Sequence, residues 1–180
     1  MALTVAQIQA VKLDDDLLRL LMGELNLLFP QELRRDRIVF LSKLQAMPPG
    51  LRAMAITFDL DVSMALDDLA WHFANHHDLD FYEETLRGLR ELGATEAAEL
   101  FGQAFAIIEP FWHELGEILT EKHPEGTHDW FDQKGIQERV DPLNDRMWKL
   151  LNQWPDQGLM HYWIQYARQY PLQCVLPSGE

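Results

Sequence analysis

Apolar residues recur at intervals of three and four along nearly the whole chain. That is the period of a helix buried on one side, and no stretch alternates apolar and polar residues as a half-buried strand does. "DDDLLRLLMGELNLLF" predicts a helix with Asp14, Asp15 and Asp16 in its first turn, where the helix dipole favours negative charge. Pro30 punctuates it. "PQELRRDRIVFLSKLQAM" predicts a second helix, stopped by Pro48, Pro49 and Gly50, and a short helix follows over Leu51 to Phe58. Ser63 reads as the N-cap of "MALDDLAWHFANH". Asp80, with Glu83 three residues on, reads as the next cap.

Gly93 is a natural C-terminal stop for "FYEETLRGLREL". It also accounts for the glycine spacing of "GLRELGAT", which has Ala94 where a phosphate loop needs lysine. Thr95 reads as the cap of a long helix toward Thr120, bent at Pro110. "HPEGTHDWFDQKG" is the longest loop-like stretch, and Asp141 with Pro142 reads as the cap and first turn of a further helix. "PDQGLMHYWIQYARQY" predicts the last helix and "PLQCVLPSGE" a tail. The pattern predicts an all-α fold, a compact single-domain bundle of about eight helices covering residues 1–180.

Composition agrees with a packed domain. A 180-residue chain with 47% hydrophobic and 24% charged residues can bury a real core and is not disordered. The single cysteine, Cys174, excludes an intramolecular disulfide and a multi-cysteine zinc site, and it suits a reducing cytoplasm. Its place near the C-terminus, between Gln173 and Val175, argues against a catalytic thiolate. "MALTVAQIQAVKLDDD" lacks the basic start and apolar run of a secretion signal, and no apolar run approaches a membrane span of about 20 residues. A cytoplasmic location is expected. The net charge of −14 argues against direct contact with nucleic acid or an anionic membrane and favours a basic partner.

"WHFANHHDLD", Trp71 to Asp80, holds three of the seven histidines. On a helix from Met64 to His76, the residues Leu66, Leu69, Ala70 and Phe73 share a core face. Asp68, His72 and His76 fall on another stripe, four residues apart. Such a line can present ligands to a divalent metal or set up an Asp–His acid/base pair. The simpler reading is a helix–turn–helix junction, with histidines near a helix C-terminus and Asp78 and Asp80 starting the next helix. There is no H-E-x-x-H, G-x-S-x-G or G-x-G-x-x-G motif, and the lone E-x-x-H, Glu125 to His128, sits in the loop-like stretch. No cofactor is expected.

The acid is unevenly spread. From Asp59 to Glu99 eleven acids stand against Arg87 and Arg90, a local net of −9, whereas "RRDRIVFLSK", Arg34 to Lys43, nets +3. Pairs at four-residue spacing, Glu83 with Arg87 and Arg87 with Glu91, cancel part of it. Carboxylates on a rigid helix lie about 5–6 Å apart, close to the spacing of phosphates along a strand. The candidate partner-binding residues are Asp67, Asp68, Asp78, Asp80, Glu83 and Glu84.

"WHFAN", ending at Asn75, "YEETLRGLRELGA", ending at Ala94, and "AAELFGQAF", ending at Phe105, resemble the central block of the all-helical family that includes DNA mimic protein 19. "VDPLNDRMWKLLNQWPDQGLMHYWIQYARQYP" is similar to its closing helices, which places the family-like core at about 59–170. Where the family carries an Asn-Gly-Gly-Phe run, this chain has Leu66, Asp67, Asp68 and Leu69, so no role tied to those glycines carries over. The resemblance implies a helical domain without a known reaction. It also implies, from at least one relative, an acidic dimer that occupies the DNA-binding surface of a transcription factor.

The expectation is therefore a non-enzymatic acidic protein that binds a basic protein partner, in its sharpest form a DNA mimic seated on a transcription regulator. It would bind neither nucleic acid nor membrane, and a homodimer is among its expected states. The alternative is a metal-dependent enzyme using Asp68, His72 and His76.

Overall fold

Thr4 opens the first ordered element with a capping box, its hydroxyl accepting from the Gln7 amide while the Gln7 side chain accepts from the Thr4 amide. The computed structural model describes residues 2–122, 125–154 and 156–177. Among these there is no strand, and the helices are α1 (Val5–Ala10), α2 (Asp14–Leu28), α3 (Gln31–Arg35), α4 (Arg37–Gln45), α5 (Pro49–Leu66) and α6 (Leu69–Asn75). They continue with α7 (Leu79–Glu91), α8 (Thr95–Ile108), α9 (Trp112–Lys122), α10 (Glu125–Gln133), α11 (Ile136–Leu151) and α12 (Met160–Gln169). Short 3-10 turns cover Glu109–Phe111 and Pro171–Cys174.

The architecture is organised around α5. Pro49 starts it at a position where the missing N–H costs nothing. Residues Leu51, Ala53, Met54, Ala55, Ile56 and Leu60 are buried right round its circumference, as in a central helix. Its N-terminal half joins a core made with α1, α2, α4 and α12, around Leu17, Leu21, Phe29, Phe40 and Trp163. Its C-terminal half, through Leu60 and Met64, joins a second core made with α6, α8, α10 and α11, around Phe73, Phe101, Phe131, Val140 and Met147. Each fully buried Leu or Phe contributes about 2–3 kcal/mol relative to exposure. α7 packs along α5 closely because Gly88 lacks a side chain: a Cβ there would stand 2.7 Å from Ile56 Cγ2.

The helix boundaries depart from the sequence pattern at points that share a cause: polar residues with local tertiary partners. The helix expected over Leu51 to Phe58 runs eighteen residues, to Leu66. Asp59 and Asp61 look like breakers, but Asp59 faces Arg34 at 3.8 Å and Asp61 accepts from the Leu159 amide at 2.6 Å. Ser63 is not a cap. It lies inside α5 and bonds back to the Asp59 carbonyl. The break falls at Asp67, which leaves helical geometry, and Asp68, which is extended, so Leu66 turns outward and is not core.

The second predicted helix is two, because Asp36 leaves helical geometry and its carboxylate caps α4 through the Val39 amide. Asp78, not Asp80, caps α7 by accepting from the Phe81 amide. Thr95 is the first residue of α8 and makes no side-chain cap. Pro110 turns the chain within the 3-10 segment between α8 and α9. Pro142 lies inside α11, which starts six residues earlier at Ile136. The loop-like stretch contains helix α10, anchored by buried Trp130 and Phe131; His123 and Pro124 lie outside the described residues.

Cys174 is buried with its Sγ 3.7 Å from the Tyr170 carbonyl oxygen, and burial pushes its thiol up to about 12. It is packing material, not a nucleophile. Gly50 allows this close approach, since a Cβ there would meet Cys174 Sγ at 2.8 Å.

Candidate functional site

The α6–α7 junction holds most of the candidate residues. Asp68 caps α6: its Oδ1 accepts from the Trp71 amide at 2.9 Å, and its Oδ2 accepts from Gln137 Nε2 at 2.9 Å. Asn144 Oδ1 receives the Leu69 amide and ties the same helix end to α11. α6 has only seven residues, about 10 Å of rise, so His72, His76 and His77 leave it in three directions.

His72 enters the core. Its ring is fully buried and bonds Ser63 Oγ through Nδ1 at 2.9 Å. The Ser63 hydroxyl already donates to the Asp59 carbonyl, so His72 Nδ1 is the donor. Burial holds this imidazole well below the usual 6.5, and the proximity of His76 and Arg37 pushes the same way. His76 lies flat on Phe81, with centroids 4.7 Å apart and planes at 5°. Its Nδ1 accepts from Arg37 Nη2 at 2.8 Å, because a guanidinium can only donate. Burial, then Arg37, lowers His76 to about 4. His77 stacks on Trp112 at 4.1 Å, and its Nε2 donates to the Trp112 carbonyl at 2.8 Å.

The Asp68–His72–His76 stripe is therefore not brought together. Asp68 sits before the helix and faces α11, His72 faces α5, and His76 faces α4. Among the described residues no three of His, Cys, Asp or Glu converge where they could hold a metal ion.

Arg37 links the junction to α4. Its guanidinium carbon stands 3.9 Å from the Phe81 ring centroid, and it shares Asp59 with Arg34. Burial raises the Asp59 pKa despite the two cations, and burial lowers both arginines despite the carboxylate. Arg34 donates to the Phe29 and Ala55 carbonyls and lies over Phe58 at 4.8 Å. Lys43 donates to the Leu28 carbonyl. The basic Arg34–Lys43 stretch thus spends most of its charge inside the fold.

The six candidate acids divide. Asp67, Asp80 and Glu83 are exposed, and among the described residues none of the three forms an ion pair. Asp78 is half-buried as the cap of α7. Two expectations of exposed charge are corrected. Asp68 is buried by its cap and Gln137 contacts. Glu84 is buried between Arg52, which grips both of its oxygens, and Arg87 at 3.4 Å. Arg87 pairs with Glu84 across three residues, and not with Glu83 or Glu91 across four. Asp67 also stands at the opposite end of α6 from Asp78, so the six do not make one continuous face.

Sequence reasoning passed over a second acidic row. Glu109, His113, Glu117 and Glu121 recur every four residues through the 3-10 turn and α9, a period visible in the chain itself, and all four are exposed. Burial raises the Tyr82 pKa, with Arg90 opposing and Glu109 and Glu83 adding to the rise, so both signs of charge lie near that ring.

Comparison with known proteins gives one match. A family model described as DMP19-like protein covers residues 45–169, from just before α5 to the end of α12. No curated protein and no solved structure matches the chain. Among the described residues no helix is long and apolar enough to cross a membrane.

Proposed function

The chain belongs to the DMP19-like protein family, and from that premise we propose that it is a non-enzymatic acidic protein that binds a basic protein partner. Its sharpest form is occupation of the surface that a DNA-binding regulator otherwise offers to DNA. The observation that carries this reading is the asymmetry of charge use. Asp80 and Glu83 stand exposed, with no ion pair among the described residues, in the first two turns of a helix packed firmly on the central α5. Four nearby bases, Arg34, Arg37, Lys43 and Arg52, turn into the protein, while Arg87 and Arg90 stay exposed further along α7.

A net charge of −14 on such a frame steers cationic partners and repels nucleic acid and anionic lipid. Rigid anchoring keeps the carboxylates in place before the partner arrives, which lowers the ordering cost of binding. A second copy of the chain would double the array, and a homodimer belongs to the same proposal.

The test is binding to DNA-binding regulators from the same cell at rising salt. Affinity should fall steeply between 50 and 200 mM salt, roughly as expected for several ion contacts. It should also drop at least about tenfold in Asp80→Asn with Glu83→Gln, the size expected from losing two interfacial charge contacts. Binding that ignores both changes would overturn the proposal.

A further inference from the structure

Between the α6–α7 turn and α9 lies an open depression of about 780 Å³. His77, Glu109, Trp112, Gly116, Glu117 and Glu121 line it. Its floor is aromatic. His77 lies on Trp112 at 4.1 Å, and Trp112 packs edge-on against Phe105 at 5.4 Å. Phe105 in turn stacks on Tyr82 at 3.7 Å. Gly116 makes the floor flat: a Cβ there would stand 2.9 Å from His77 Cε1 and lift the ring.

The wall is anionic. Three carboxylates border the depression and, among the described residues, no lysine or arginine lines it. One carboxylate, Glu117, has His113 at 3.6 Å, a side chain 91% exposed and therefore a weak neutraliser. Because His77 Nε2 donates to the Trp112 carbonyl, Nδ1 remains an acceptor on a ring that borders the space.

An aromatic floor with a carboxylate wall matches the two binding modes of a guanidinium, stacking on a ring and forked bonding to carboxylate. An ammonium uses the charge but not the plane. We propose that this depression receives an arginine side chain of the basic partner, with Glu109 and Glu117 pairing with the guanidinium and the His77–Trp112 stack supporting it. The proposal rests on the reading that the partner is basic. It moves the centre of the contact from the start of α7 to α9, which Tyr82 of α7 reaches through Phe105 and Trp112.

The experiment follows amide shifts of the full ¹⁵N-labelled chain as capped tri-arginine peptide is added. Tri-lysine peptide and calcium chloride serve as comparison probes. The inference expects shifts centred on His77, Trp112 and Gly116 and tri-lysine at least threefold weaker. In Glu109→Gln/Glu117→Gln/Glu121→Gln, checked for an unchanged melting curve, binding should be at least tenfold weaker. Asp80→Asn/Glu83→Gln should change tri-arginine binding less than threefold.

Shifts confined to the first turn of α7 would overturn this site and leave the broader proposal standing. Equal binding of tri-lysine, or calcium shifting the same amides more tightly than the peptide, would overturn the arginine assignment. Failure of tri-arginine to shift any amide, together with salt-insensitive binding of regulators, would remove both proposals.

Discussion

The segments Arg34–Lys43 and Asp78–Glu91 carry opposite charge, lie against each other across Arg37 and Phe81, and use their charge in opposite ways. In the first, the long side chains of Arg34, Arg37 and Lys43 fold back over Phe rings and donate to carbonyls and a histidine. In the second, Asp80 and Glu83 point outward and Glu84 alone is buried, held by Arg52. The physical reason is reach. A guanidinium on a flexible apolar stem can bury its stem and still find acceptors or a ring face. A short carboxylate must find a donor close by, which the start of α7 supplies to Asp78, Arg52 to Glu84 and the Tyr166 hydroxyl to Glu91.

The contrast yields predictions of graded size. Arg34→Met should be the most damaging change, because it strands half-buried Asp59 and two carbonyls. Urea denaturation should show a loss of about 3 kcal/mol, the low end for breaking a buried ion pair. Glu84→Gln keeps the shape but leaves Arg52 without its charged partner, and it should cost about 2 kcal/mol in the same measurement. If instead Arg34→Met were as mild as a surface change, the inward use of the basic segment would be wrong.

Stability against pH should separate the junction from the α5–α12 contact. His76 titrates at about 4 in the fold and near 6.5 unfolded, so its contribution is complete above 6.5 and is lost as pH falls toward 4. Asp61 runs the other way. Burial raises it from 3.8 to about 6, so its contribution is present below 3.8 and lost as pH rises through 6. Between pH 4 and 6 the two oppose each other. Asp61→Asn, which keeps an acceptor for the Leu159 amide, should remove the opposition. Its unfolding free energy should fall more steeply than wild type on acidification and lie on the order of 1–2 kcal/mol higher at pH 7. Parallel curves for the two proteins would show that Asp61 is not a strained charge.

The smallest stability effect belongs to the acids that face solvent. Asp80→Asn with Glu83→Gln should change unfolding free energy by less than about 0.5 kcal/mol, since neither is paired. A large loss would mean that these carboxylates hold the fold, not a partner.

Legibility in the sequence followed the range of the forces involved. The helical period identified α2, α7, α8 and α12 because each buries one face along its own length. The resemblance carried by "WHFAN" and "YEETLRGLRELGA" is matched by the family assignment over 45–169. The break between α5 and α6 was misplaced. Ser63 has the chemistry of a cap, but its hydroxyl is used by the Asp59 carbonyl and His72, contacts that a local reading does not contain. α1 was missed although Thr4 and Gln7 spell its capping box, because only one buried residue, Ile8, marks its apolar face. In the acidic segment, charge was legible but burial was not. Asp68 and Glu84 look like their exposed neighbours until Gln137, sixty-nine residues away, and Arg52, thirty-two residues away, are placed beside them.

The sequence by itself determined the all-helical fold, the family and the excess of negative charge, since periodicity, motif and composition are properties of the chain alone. The tertiary structure decided which charges remain at the surface and where the three histidines of the α6–α7 junction go. Desolvating an ion is too costly unless a partner stands within a few ångströms. Whether it does depends on helices far apart in the chain.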